Sequence, residues 1–283
     1  MICKFIKKGI VFILPLTILP AIIGLGYYLH RPDSLSLPDA SRKILILGDS
    51  HTECGINDSL FSNSFNFSES SESYLFCYAK LQMLTSGQKT FDTLLLSVNP
   101  RSLSAGTHIP GVYKFNSTLC LLDWSTLQDY LDEMPLYMAG RLLRPFWQEP
   151  CLEGGFLGLP DCKLAKDIAS RQGKDKNSCI TYPLQLTYLQ KIVRLCEEKN
   201  IRLYFVNVPM YNAGHYFNMD NFYQCIDTNF REIPFLDYGD MLLPDSCFMD
   251  AGHLNRRGAE IFSRILERDF HEKREMMADN SLK

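Results

Sequence analysis

Three short stretches of this 283-residue chain are apolar at nearly every position: residues 43–47 (KILIL), 93–98 (TLLLSV) and 202–208 (RLYFVNV). A strand exposes alternate side chains to opposite faces, so a run apolar on both sets needs cover on both sides. Such strands belong to a parallel sheet sandwiched between helices. The intervening sequence supplies those helices. Tyr74, Tyr78, Leu81 and Met83 form a stripe through residues 72–86. Leu186, Leu189, Ile192, Val193 and Cys196 form another, which Asn200 ends. Asn255 is placed to cap a last helix from Arg256 to about Phe270, with Ala259, Phe262, Ile265, Leu266 and Phe270 on its inner face. Weaker strands are expected at 64–67 and 233–237. This alternation predicts a flavodoxin-like α/β fold, three layers α/β/α around a mainly parallel five-stranded sheet.

The segment 104–182 breaks the rhythm. It holds one helical stretch, residues 125–143, and then a chain rich in Pro and Gly. It is too long for a simple connection, and Trp124, Phe146, Trp147 and Phe156 give it material to pack. It reads as a lid-like insertion over the active edge of the sheet, within a domain spanning 43–272. A polar tail, 273–283, follows.

Residues 9–28 (GIVFILPLTILPAIIGLGYY) carry no charge. That is about the twenty residues a membrane-spanning helix needs. Lys4, Lys7 and Lys8 precede it in the segment 1–8, so the N-terminus is expected in the cytoplasm and the remainder outside, by way of a linker at 29–42. The expected localisation is therefore a single-pass membrane protein, its domain facing the periplasm of a bacterial inner membrane. A cleaved signal peptide is the competing reading, though no small-x-small site stands before Arg31. The net charge of −3 gives no nucleic-acid footprint. Ten cysteines occur without CxxC or other metal-ligand spacing, so no metal or cofactor is expected. There is no P-loop and no GxGxxG.

The first strand stops on Gly48-Asp49-Ser50-His51. In open parallel sheets ligands bind at the carboxyl edge of the strands, and this places a serine hydroxyl there. Serine needs a base in hydrogen-bond reach, and the base needs an orienting group. Asp250-Ala251-Gly252-His253, just before the last helix, supplies both on the same edge. Asp49 reads as a buried partner of the loops. His51 points away from Ser50 if the backbone there is extended, and otherwise it and Asp49 are candidates to line the site.

Gly48-Asp49-Ser50 after the first strand, with Asp250-x-x-His253-Leu254-Asn255 before the last helix, resembles the SGNH/GDSL hydrolase superfamily, and within it the membrane-anchored bacterial members linked to acylation of envelope polymers. The resemblance covers residues 43–270 apart from the insertion. It implies Ser50 as nucleophile, His253 as general base and acid, and Asp250 as the group that orients it. An α/β-hydrolase would use the same order of residues, but its G-x-S-x-G elbow is incomplete here, because Thr52 stands where the second glycine belongs. The resemblance also implies an oxyanion hole. Its candidates are the Ser50 N–H, Asn99 after the third strand, and Ser71, which stands where the family has a glycine. Glu69 and Glu72 flank Ser71 and would not favour an oxyanion.

These features imply a membrane-anchored serine esterase or O-acyltransferase. It would act on acyl groups, acetyl foremost, of an envelope glycan or of a small ester through an acyl-enzyme. The bilayer would hold residues 9–28, and a multi-spanning membrane acyltransferase is a candidate partner. The alternative is an accessory or binding subunit of an acylation system, catalytically weak or inactive.

Overall fold

The computed structural model describes residues 41–86, 91–104, 122–132, 154–160, 163–171, 181–212 and 219–281. Five strands, β1 (Ile44–Leu47), β2 (Ser64–Asn66), β3 (Thr93–Ser97), β4 (Arg202–Asn207) and β5 (Phe235–Asp237), form one sheet in the order β2-β1-β3-β4-β5. Every neighbouring pair is parallel. Ile44 pairs with Ser64 on one side and Thr93 on the other, so β1 lies inside the sheet.

The helices are α1 (Ser50–Gly55), α2 (Tyr74–Thr85), α3 (Trp124–Asp132), α4 (Leu164–Arg171), α5 (Pro183–Glu198), α6 (Met219–Phe230) and α7 (Arg256–Ser281). The alternating side chains of the strands divide the core in two. Ile44, Ile46, Leu95, Tyr204 and Val206 form one core with Phe262, Leu266 and Phe270 of α7. On the other face α2 packs against α5, the Gln185 side chain accepts the Tyr74 N–H at 3.0 Å, and Phe205 meets Phe230 of α6 edge-on. The result is the three-layer α/β/α architecture expected, with β1 and β3 wholly buried.

The chain divides into two compact units: Met1–Leu35 with Lys114–Leu152, and Ser36–Tyr113 with Glu153–Lys283. Of the first, α3 is the described element, and it occupies part of the helix expected over 125–143. The sheet belongs to the second. Ser104 and Thr181 form an antiparallel bridge, and the Tyr182 N–H donates to the Leu103 carbonyl at 2.8 Å.

Two elements depart from expectation. The last helix does not end near Phe270 but runs to Ser281, through most of the residues read as a polar tail. Its Glu, Lys, Arg and Met residues are good helix formers, and no Gly or Pro interrupts them after Gly258. Helix α6, which follows β4, had no counterpart in the sequence reading. The apolar segment 9–28 lies outside the described residues. Among those described, no helix is long and apolar enough to cross a membrane.

Candidate functional site

The site is built where β1 ends. Gly48 has φ +152°, and a Cβ there would lie 2.2 Å from the Ser97 Cβ of neighbouring β3. Only glycine lets the chain turn out of the sheet at this point. Asp49 then caps α1, its Oδ1 accepting the His51 N–H at 3.0 Å. The cap is thus Asp49 and not Ser50, which becomes the first residue of the helix, half-buried at the carboxyl edge.

The second component comes from the loop between β5 and α7. Asn255 caps α7, its Oδ1 accepting the Gly258 N–H at 3.0 Å. Just before it, Asp250 Oδ1 accepts the backbone N–H of Gly252 at 2.8 Å and that of His253 at 3.0 Å. This tight turn sets the same oxygen 2.8 Å from His253 Nδ1. The other ring nitrogen, Nε2, lies 2.8 Å from Ser50 Oγ. Ser50 and a histidine 203 residues away, with the aspartate three residues before that histidine, therefore form one hydrogen-bonded line, Ser50–His253–Asp250.

Burial alone would raise the Asp250 carboxyl, but the hydrogen bond and charge of His253 and the two backbone N–H groups outweigh it and hold the group at about 2. Asp250 is therefore anionic at neutral pH. An anion at Nδ1 keeps the ring proton on that nitrogen, which leaves Nε2 as the acceptor facing the serine.

Asp49 occupies a different position from Asp250. It is buried, and its two oxygens take the His51 Nδ1 at 3.0 Å, the Ser97 hydroxyl at 3.3 Å and the Asn99 Nδ2 at 3.1 Å. Burial pushes its carboxyl up, but the charge and hydrogen bonds of His51 and the amide of Asn99 hold it well below the ordinary range. It ties the ends of β1 and β3 together, as expected of a partner of the loops.

His51 does not point away from the site. The backbone at residue 51 is helical rather than extended, and this turns the ring inward. It is 4% exposed and stacks on the His253 ring, with centroids 5.2 Å apart and planes at 22°.

The oxyanion candidates separate. Asn99 is fully buried, and its Nδ2 donates to Asp49 Oδ2 and, at 3.3 Å, to the Ser97 hydroxyl. Its Oδ1 accepts the N–H groups of Arg101 and Ser102. Its hydrogen-bonding capacity is spent on holding the loop after β3. Ser71 is exposed and has φ +63°, the left-handed conformation that glycine adopts at no cost. Among the described residues neither the Ser50 nor the Ser71 backbone N–H has a protein acceptor.

The loop that carries Ser71 is clamped from below. Lys80 of α2, 1% exposed, places its Nζ 3.0 Å from the Phe67 carbonyl, 3.2 Å from Glu69 and 2.7 Å from Glu72. Burial, with Glu69 alongside, raises the Glu72 carboxyl to about 8 despite the lysine. Burial opposes the charge of Lys80, but Glu72 and Glu69 beside it outweigh that and raise its ammonium. Ser70 hydrogen-bonds Glu53 of α1, and the Glu69 N–H donates to the Gly48 carbonyl at 2.9 Å.

Residues 154–160 and 163–171 reach the same edge. The Lys163 N–H donates to the Met249 carbonyl at 2.7 Å, and Asp167 of α4 accepts the Ala251 N–H at 3.0 Å. Leu157 and Gly155 donate to the carbonyls of Glu53 and Asn66. Asp167 and Lys80 were not singled out from sequence, because each acts through a contact that only the folded chain creates. Arg101 is exposed. His108 and His215 lie outside the described residues.

Comparison with known proteins adds little to this geometry. A protein-family model without a functional description matches residues 166–275, less than half of the chain. No curated protein matches the sequence. Among solved structures, the chain is similar to a "putative acylhydrolase" from Bacteroides fragilis, at 8% identity and a TM-score of 0.41, over 87% of this chain and 95% of that one. A likeness so loose carries no residue from one chain to the other.

Proposed function

We propose that this protein is a serine hydrolase of the SGNH/GDSL type, acting on ester bonds. The observation that carries the reading is the line Ser50 Oγ–His253 Nε2, His253 Nδ1–Asp250 Oδ1, each step 2.8 Å. In this reading His253 takes the Ser50 proton as Oγ attacks the ester carbonyl. Asp250 stabilises the imidazolium that forms. His253 then returns the proton to the leaving alcohol, leaving an acyl-enzyme on Ser50. Water or a sugar hydroxyl, deprotonated by the same histidine, releases the acyl group. The acceptor decides whether the outcome is hydrolysis or transfer.

The backbone N–H groups of Ser50 and Ser71 are the donors assigned to the oxyanion. Asn99 is assigned a structural part, since both its N–H bonds go to Asp49 and Ser97. With residues 9–28 as membrane anchor, the substrate class is an acylated, foremost acetylated, glycan or other polymer of the cell envelope. A multi-spanning membrane acyltransferase would be the natural partner.

One observation favours a second reading, an accessory subunit that binds acylated polymer without turnover: a serine at φ +63° stands where the resemblance implies glycine, and the asparagine amide is committed elsewhere. A fluorophosphonate probe separates the two. The enzyme reading expects covalent labelling on Ser50 and p-nitrophenyl acetate hydrolysis that S50A abolishes. Hydrolysis unchanged in S50A, or no labelling of the folded wild-type protein, would sink it, and the second outcome leaves the accessory reading standing.

A further inference from the structure

The site contains two histidine–carboxylate pairs, and the proposed reaction uses one. His253 holds Asp250 through Nδ1 at 2.8 Å, and His51 holds Asp49 through Nδ1 at 3.0 Å. The two rings stack, with centroids 5.2 Å apart and planes at 22°. His253 and Asp250 are about a quarter exposed, whereas His51 and Asp49 are almost wholly buried. The His51 ring is fixed by Asp49, and Asp49 by the His51 backbone N–H, Ser97 and Asn99 at the ends of the two central strands. The loop bearing His253 is held by Asp167 and Tyr211, both on Ala251, and by the Met249 N–H, which donates to the His253 carbonyl at 2.9 Å.

We propose that His51 is a positioning residue: a buried plate, locked to the sheet by Asp49, that fixes the plane of the His253 imidazole. The inference rests on the reading of Ser50 as nucleophile. The hydrogen bond to Asp250 sets the direction of Nδ1 but leaves the ring small excursions about its Cα–Cβ and Cβ–Cγ bonds and lets it rock with the loop. A flat surface along one face removes both freedoms, and the ring keeps Nε2 aimed at Ser50 Oγ as the proton moves. No charge on His51 is required. A position fixed by stacking needs a ring, whereas a position fixed through Asp49 needs only a hydrogen-bond donor.

This contrast gives the test. Ser50 labelling by a fluorophosphonate is measured in the full chain for wild type, H51A, H51F and H51N, separating the maximal rate from the half-saturating probe concentration. The expected result is a maximal rate reduced about 10- to 100-fold in H51A and H51N, as for a reacting group displaced by an ångström or less. H51F restores most of it, and the half-saturating concentration changes little. Equal maximal rates in wild type and H51A overturn the proposal, as does rescue by H51N and not by H51F. Should the variants not fold, the unmodified protein decides: a nuclear Overhauser effect between the ring protons of His51 and His253 is expected, and its absence overturns the stack. Failure of the functional reading looks different, since wild type itself would then not be labelled at Ser50.

Discussion

At the scale of single residues, Asp250 is the group whose electrostatics are best defined. One of its oxygens receives two backbone N–H groups and the His253 ring. Replacing it with Asn, D250N, keeps the shape and removes the charge. The Asn side chain can present its NH₂ to Nδ1, which favours the tautomer with its proton on Nε2, where it cannot accept from serine. The expected loss of ester hydrolysis is about 10³- to 10⁴-fold with little change in KM, and a loss below tenfold in steady-state kinetics would argue against the role. The Asp-x-x-His spacing was legible in sequence because a three-residue turn is local. The part of His51 was not, because it depends on whether residue 51 begins a helix or extends a strand. One residue's backbone state turned the ring from outside to inside.

At the scale of elements, the site is set by two loops and a helix that buttress it. The loop after β2 holds Ser71 at φ +63°. S71G relieves a left-handed conformation that costs an L-residue about 1 kcal/mol, an amount partly offset by the freedom glycine adds to the unfolded chain. Urea denaturation should therefore show S71G as stable as wild type or more so, with Ser50 labelling undiminished. A large loss of labelling would mean that the Ser71 side chain acts in the site, against the assignment of its N–H. Helix α4 supports the opposite loop. In D167A the Ala251 N–H loses its acceptor, and the Arg171 ion pair is lost with it. We expect a destabilisation of about 1 to 2 kcal/mol and slower labelling, although Asp167 does not touch Ser50. Wild-type labelling in D167A would show that the Asp250–His253 turn holds itself. The strands and the helices α2, α5 and α7 followed from periodicity, since burial on both faces leaves a mark at every position. The support by α4 left no such mark. Its residues are ordinary for an exposed helix, and the contact joins positions 84 residues apart.

At the scale of the whole molecule, stability should depend on pH through two carboxyls, the half-buried Asp250 and the buried Glu72, with opposite signs. Asp250 titrates at about 2 against an ordinary 3.8, so its contribution is complete above 3.8 and is lost as pH falls towards 2. Glu72 titrates at about 8 against 4.5, so the folded chain holds its proton more tightly than the unfolded one. Its contribution is complete below 4.5 and is lost as pH rises towards 8. The thermal midpoint of the wild type should therefore decline across that upper window. E72Q, which keeps the neutral shape, should flatten the decline, and an unchanged slope in E72Q would place the effect elsewhere. The sequence by itself determined the class of fold, the order of its main elements and the pairing of Ser50 with the Asp250–His253 turn. Apolar periodicity and short-range turns are properties of neighbouring residues, and a parallel sheet collects the ends of its strands on one edge. Tertiary structure alone decided the rest: which carboxylate Asn99 serves, where the His51 ring lies, and that Lys80 sits buried beneath the Ser71 loop. Those outcomes follow from which polar groups find partners once water is excluded, and that is settled only when segments distant in the chain come together.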